Sequence, residues 1–226
     1  RIREWYSIHF PELDRLVLDH QVYLKLVLEL STREKFTASA INAAAELPDE
    51  DVEKIAQVAR SSLGAPFDEL DIQAIRDCAK EVFTMYEVRE RMAGYIDGLM
   101  AQVAPNIRAV VGGTIGARLI SLAGGLAQLA RLPASTLQVL GAEKALFRAL
   151  RARAKPPKHG VIYQYPDIRG SPKWQRGKIA RALAGKLTIA ARVDAMSGEF
   201  VGDKLSADFK SRVADIKARY EKPKGR

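Results

Sequence analysis

Apolar positions recur at three- and four-residue intervals along much of the chain, the spacing of helices with one buried face. After "HFPEL", where Pro11 suits a first helical turn, "LDRLVLDHQVYLKLVLEL" is dense enough in apolar residues to predict a buried or paired helix. "LPDEDVEKIAQVARSSLGAP" predicts another, with Asp49 as its cap and acids in its first turn. Val52, Ile55, Val58 and Ala59 form its apolar side, and Gly64 and Pro66 stop it. A longer helix is expected over 68–104, where Ile72, Ile75, Ala79, Val82 and Tyr86 keep the spacing. Beyond a charged "EVRER" patch, Met92, Ile96, Leu99 and Val103 resume it. At 1.5 Å per residue it runs about 55 Å, longer than a compact domain needs. It calls for a partner along its length, which predicts an antiparallel coiled coil within one chain or between two. Ile72, Ile75, Val82, Tyr86, Met92, Ile96 and Leu99 are its expected dimerisation contacts, and an ordinary helical bundle is the competing arrangement. Pro105 breaks the pattern and sets the expected boundary between a helical arm, 1–105, and a second domain, 106–226.

In the second half, "NIRAVVGGTIGARLISLAGGLAQLARLP" has glycines like a phosphate loop but lacks the Gly-Lys-Ser/Thr ending, and no strand precedes it. It predicts a helix or helix pair in which Gly112, Gly116, Gly124 and Gly125 allow close backbone contact. Its apolar run at 119–130 contains Ser and Gln and is too short to span a bilayer. "STLQVLGAEKALFRALRAR" predicts a helix over 135–153, capped by Ser135 or Thr136. At 100° per residue, Lys144, Arg148 and Arg151 fall at about 0°, 40° and 340°, with Val139, Leu146 and Leu150 on the far side. "RGKIARALAGKLTIAARVDAM", 176–196, repeats the design. Lys178, Arg181 and Arg192 cluster within about 60°, opposite Ile179, Leu183, Leu187 and Ala190, and Lys186 sits between the two faces. The connector "AKPPKHGVIYQYP" carries Lys155, Lys158 and His159 on a proline-stiffened path, with Val161, Ile162 and Tyr163 expected to pack inward. Tyr165 is undecided between stacking on a base and packing on the core.

Charge sharpens this picture. Residues 1–105 hold 12 Lys and Arg against 19 Asp and Glu, a net of −7, whereas 106–226 hold 24 against 8, a net of +16. Between 140 and 192 there are 13 basic residues and two acids, Glu143 and Asp167. A solvated amphipathic helix interleaves acids for i,i+4 pairing, so two basic stripes flanking a basic aromatic loop point to a phosphate-binding surface. No His/Cys/Asp/Glu cluster has metal spacing, and no nucleophile–base pair is evident, so an enzyme and a cofactor are not expected. His9 and His20 read as structural. The single cysteine, Cys78, excludes an intrachain disulfide and points to a reducing compartment. No signal peptide is visible and the first residue is Arg, so the chain reads as part of something longer.

"REWYSIHFPEL", "ARLISLAGGLAQLARLPASTLQVLGAEKALFRAL", "PPKHGVIYQYP" and "RGKIARALAGKLTIAARVD" together resemble the Nop family, over nearly the whole chain and in matching order. The likeness is to the archaeal core scaffold of box C/D small ribonucleoproteins. It implies an all-α fold, a long antiparallel coiled-coil arm that dimerises with a second copy, and a helical Nop domain. That domain binds box C/D guide RNA at a kink-turn already occupied by a small kink-turn-binding protein. The resemblance also implies fibrillarin, the methyltransferase, as a partner of an N-terminal domain not seen in this sequence. Location would be the cytoplasm of an archaeal cell, or the nucleolus in a eukaryote. By position in the shared blocks, Lys144, Arg148, His159, Arg181, Lys186 and Arg192 face RNA or the small protein. Arg151 and Lys158 join them from the stripe and the loop. Arg176 and Lys178 flank Gly177, where some relatives carry a base. The alternative class is a protein-only coiled-coil adaptor whose basic half meets acidic proteins.

Overall fold

The computed structural model describes residues 1–222. Among them are fourteen α-helices and no strand, so the chain is all-α, as its periodicity predicts. Helices α1 (Ile2–Tyr6), α2 (Leu13–Leu16), α3 (His20–Leu30), α4 (Ala38–Ala44) and α5 (Asp49–Arg60) precede the long α6 (Glu69–Val103). Helices α7 (Pro105–Val111), α8 (Gly113–Ala123), α9 (Leu126–Arg131), α10 (Ala134–Val139) and α11 (Glu143–Arg151) follow. A 3₁₀ turn, Val161–Gln164, leads to α12 (Pro166–Arg169), α13 (Lys173–Met196) and α14 (Gly202–Arg219). No described helix is long and apolar enough to cross a membrane.

Packing divides the chain into two compact units, one ending at Arg91 and the other starting at Met92. In the first, Tyr6, Phe10, Leu13, Tyr23, Leu26, Ile41, Ile55 and Ile75 are fully buried. The helix expected to run unbroken from Leu13 is interrupted because Asp19 caps α3, its carboxylate accepting the Gln21 and Val22 N–H groups at 2.8 and 3.0 Å. Asp49 lies inside the first turn of α5, and Pro48 holds the cap position. His9 is structural. Its Nε2 accepts the Arg33 N–H at 3.0 Å, leaving Nδ1–H to donate to the Ala65 carbonyl at 2.9 Å. His20 Nδ1 accepts from Arg3 Nε at 3.0 Å.

Helix α6 ends one residue short of the expected limit, and Pro105 opens the next helix. The packing boundary nevertheless lies earlier than Pro105. Met100 and Ala104 are buried in the second unit's core, and Asp97 accepts Arg108 at 2.6 Å and the Gly113 N–H at 3.2 Å. The expected dimerisation contacts need a correction as well. Ile75 is fully buried and Tyr86 packs against the first core, Ile96 packs against the second, and Ile72 is half-buried. The α6 face that stays exposed carries Met85, Val88, Met92, Tyr95, Leu99 and Val103. At 100° per residue these share an arc of about 80°, centred about 140° from the arc of Ile72, Ile75, Ala79, Val82 and Tyr86, of which Val82 is itself exposed. The sequence reading merged the two arcs because both are apolar.

The second unit is organised around α13, which packs against α7, α9, α10, α12 and α14. Its inward side buries Ile179, Ala180, Leu183, Ala184, Leu187, Ala190 and Ala191, and the alanines let neighbouring helices approach closely. Near its end, Asp194 accepts three donors: the Asn106 side-chain amide at 2.7 Å, the Asn106 N–H at 3.0 Å and the Ile107 N–H at 2.9 Å. Asn106, itself fully buried, donates to the Glu199 carbonyl at 2.8 Å and accepts the Val201 N–H at 2.7 Å. The start of α7, the end of α13 and the approach to α14 are thereby tied at one point. Of the four glycines read as close-packing, Gly116 is buried against Ile107 and Met100, whereas Gly112, Gly124 and Gly125 take positive φ at helix breaks.

The single helix expected over 135–153 is likewise two. Leu140 leaves helical geometry and Gly141 turns at φ +84°, so α10 is capped from Pro133 and Ser135 and Thr136 lie inside it. This break lets the connector lie against the chain. The Gly160 N–H donates to the Gln138 carbonyl at 2.9 Å and the Val161 N–H to the Leu140 carbonyl at 2.8 Å, while Gln138 Nε2 donates to the Lys158 carbonyl at 2.6 Å. A Cβ at Gly160 would collide with the Leu140 carbonyl oxygen.

Two outcomes follow from these contacts. Asp194→Ala leaves Asn106 buried with unpaired donors and is expected to cost about 3 kcal/mol in urea unfolding, whereas the exposed-site control Asp208→Ala is expected to leave the unfolding midpoint nearly unchanged. Gly160→Ala is expected to lower the melting temperature and to expose the Val161 N–H to hydrogen exchange, because the two backbone segments must separate.

Candidate nucleic-acid interface

Helix α11 begins after the Gly141 turn and buries only Ala149. Lys144, Arg148 and Arg151 are exposed on it, as their spacing predicts. The one acid on this helix, Glu143, is occupied: its carboxylate accepts the Gly141 N–H at 2.6 Å. Leu150, expected on the packed side, is instead 65% exposed, and Phe147 is 61% exposed. Phe147, Lys144, Arg148 and Arg151 line one shallow depression. The wheel places Phe147 at about 300°, next to Arg151, so the aromatic member of this face was readable from its spacing.

The connector supplies a second group. Lys158 is exposed, and its side-chain carbons lie where a Cβ at Gly177 would sit 3.2 Å away, so the loop rests on the first turns of α13. His159, half-buried, stacks on Tyr163 with ring centroids 4.6 Å apart and planes 19° apart. The Arg176 guanidinium lies over the Tyr163 ring, 5.4 Å from its centroid. Burial, reinforced by the positive charges of Arg176 and Lys158 and partly offset by a hydrogen bond to its own backbone, holds the His159 imidazole below its ordinary value. Both effects favour the neutral form of the ring. Ile162 is fully buried, and Val161 and Tyr163 pack against the same core, as expected. Tyr165 resolves toward the core: it meets Phe209 edge-on at 5.6 Å, and burial raises its phenol.

Several predicted contacts are engaged within the chain. Arg176 Nε donates to the Ser171 carbonyl at 2.7 Å and Nη2 to the Arg169 carbonyl at 3.3 Å. Lys178 Nζ sits 4.2 Å from the centre of the Tyr220 ring, whose backbone carbonyl accepts from Trp174 Nε1 and Gln175 Nε2, both at 2.9 Å. Lys186 is paired with Asp208 at 2.9 Å, consistent with its place off the stripe. Arg192 is exposed, but its Nε reaches the Ala130 carbonyl at 3.3 Å, and it lies about 24 Å along α13 from Arg176. Arg181 is exposed on the turn after Lys178. The structure thus gathers Lys144, Arg148 and Arg151 on one helix, and Lys158, His159 and Arg176 at one junction. It does not bring Lys186 or Arg192 to that junction.

Comparison with known proteins shows the family. Residues 1–215 match the family model named Nop, described as "snoRNA binding domain, fibrillarin". The chain is 50% identical over 223 residues to an uncharacterized NOP5 family protein of Methanocaldococcus jannaschii, covering 99% of this chain and 53% of that protein. It is 44% identical over 202 residues to nucleolar protein 56 of Caenorhabditis elegans, covering 87% and 42%. It is 38% identical over 225 residues to nucleolar protein 58 of Scheffersomyces stipitis, covering 97% and 43%. The chain therefore spans about half the length of these relatives. Among solved structures, a chain from a fibrillarin/Nop5p complex is similar with a TM-score of 0.46 and 28% identity, over 95% of this chain and 69% of that one. With the family model matched over nearly its whole length, the chain belongs to the Nop family of snoRNA-binding-domain proteins.

Proposed function

We propose that this chain is a non-catalytic RNA-binding scaffold: its basic unit recognises a kink-turn RNA already carrying a small kink-turn-binding protein, and its long helix pairs two copies. The observation that carries the reading is the exposed face of α11, where three cations and an aromatic ring stand together while the one acid on that helix is committed to the helix start. Cations supply affinity for phosphate, and a ring among them suits an unpaired base. The exposed Phe147 and Leu150 also suit a protein surface beside the RNA, which favours recognition of a composite of the two. Specificity then comes from RNA shape and the small protein, because the deep A-form major groove excludes side chains. We assign guide-directed 2′-O-methylation to fibrillarin, the partner that the family resemblance implies, rather than to this chain.

Filter binding with kink-turn RNA plus its small protein, kink-turn RNA alone and linear RNA tests the reading. The complex is expected to bind most tightly, and with about six phosphates contacted, log affinity should fall against log salt with a slope of −4 to −5. Replacing Lys144, Arg148, Arg151 and Arg181 by Ala should flatten that slope by about 3. An unchanged slope, or equal affinity for linear RNA, favours the protein-only adaptor. For pairing, light scattering at micromolar concentration is expected to give the mass of two chains, and Met92→Glu with Leu99→Glu to give one, since charge on an apolar seam opposes association.

A further inference from the structure

The sequence counts Arg176 among the RNA contacts, but the structure gives it other partners. Two of its donors reach backbone carbonyls of the α12–α13 connection, Ser171 at 2.7 Å and Arg169 at 3.3 Å. Ser171 is itself buried, and its hydroxyl donates to the Asp167 carbonyl at 2.6 Å, so the acceptor that orients Arg176 is fixed. The guanidinium so held lies over Tyr163, and Tyr163 lies flat against His159. The Tyr163 ring has little freedom of its own. Its N–H donates to the Gly160 carbonyl at 3.0 Å, and the ring packs against the core that includes Ile162. His159 ends this stack, in a loop whose flanks are tied to Gln138 and Leu140.

We propose that Arg176 and Tyr163 are positioning residues for His159. The arginine, clamped by backbone carbonyls, steadies the tyrosine ring, and the ring presents the imidazole in one orientation to RNA. Planarity and a fixed fork are what the arrangement requires. A lysine keeps the charge at this site but cannot span two carbonyls while covering a ring. The stack removes rotamer freedom from His159 before RNA arrives, so less entropy is lost on binding. The neutral ring, favoured by burial and two neighbouring cations, offers one N–H donor and one acceptor rather than a third positive charge.

This inference rests on the loop belonging to the RNA face, and two readouts separate the two ideas. In the free protein, proton NMR of the imidazole should show His159 resonances shifted upfield by the Tyr163 ring. Arg176→Lys should move them toward ordinary values, and Tyr163→Leu should abolish the shift. Unmoved resonances in Arg176→Lys would overturn the clamp whatever RNA does. In the salt-series titration against kink-turn RNA plus its small protein, Arg176→Lys, Arg176→Ala and Tyr163→Leu should each weaken binding about fivefold, with the wild-type slope. Tyr163→Leu combined with His159→Ala should be no weaker than His159→Ala alone, the mark of coupled residues. If Arg176→Lys instead binds as wild type while Arg176→Ala flattens the slope by about one, Arg176 is a direct phosphate contact and the proposal fails. If His159→Ala binds as wild type, the loop is not part of the RNA face, and the positioning role falls with that reading even where the NMR shifts confirm the stack.

Discussion

The carboxylate of Asp194 decides the frame on which the basic unit is built. A buried amide such as Asn106 is destabilising unless its donors and acceptor are all met, and here an ionised partner and two backbone groups meet them. Because those partners come from the end of α13 and the approach to α14, and because Asp194 also satisfies the first N–H groups of α7, the three helices share one register. Packing of Leu183, Leu187 and the α13 alanines supplies the apolar attraction, but that attraction is non-directional. The polar knot supplies the direction.

Once α13 is fixed in register, its outer side chains have no choice of neighbourhood. Lys186 falls opposite Asp208 on α14, and Lys178 falls over Tyr220. Arg176, at the first turns, falls beside the connector and under the carbonyls of Ser171 and Arg169. Helix α11 escapes this fate because Gly141 breaks it away from α10 and Ala149 is its one buried residue. Its cations therefore stay exposed. The same turn brings residues 138–140 alongside 158–161, so the break that exposes α11 also seats the histidine loop.

Much of this was legible in the chain. The long helix, the apolar side of α13 and the cationic stripe of α11 all follow from spacing, because a helical face is a local property. What spacing could not give is whether an apolar face meets its own chain. Ile75 and Met85 are equally good seam residues by composition, yet Ile75 lies in the first core while Met85 is 69% exposed. Nor could it give the helix breaks at Asp19 and Gly141, where a single capping carboxylate or one positive φ overrides a periodic pattern. The stack of His159 on Tyr163 was hidden for a different reason. Four residues apart in a connector say nothing about ring contact unless the turn between them is known.

The cationic surplus of the second half is thus a poor measure of its binding surface. An ammonium near a carboxylate or a ring, or a guanidinium on backbone carbonyls, contributes to the field around the protein but is not free to take a phosphate without first giving up a partner. Among the candidate contacts, subtracting such groups leaves Lys144, Arg148 and Arg151 beside Phe147 on α11, Lys158 beside His159 at the loop, and Arg181 on α13. Phosphate contacts alone would hold any RNA at any register. Under the proposed function, sequence-independent phosphate contacts come from the cations, and selection among nucleotides has to come from the rings beside them.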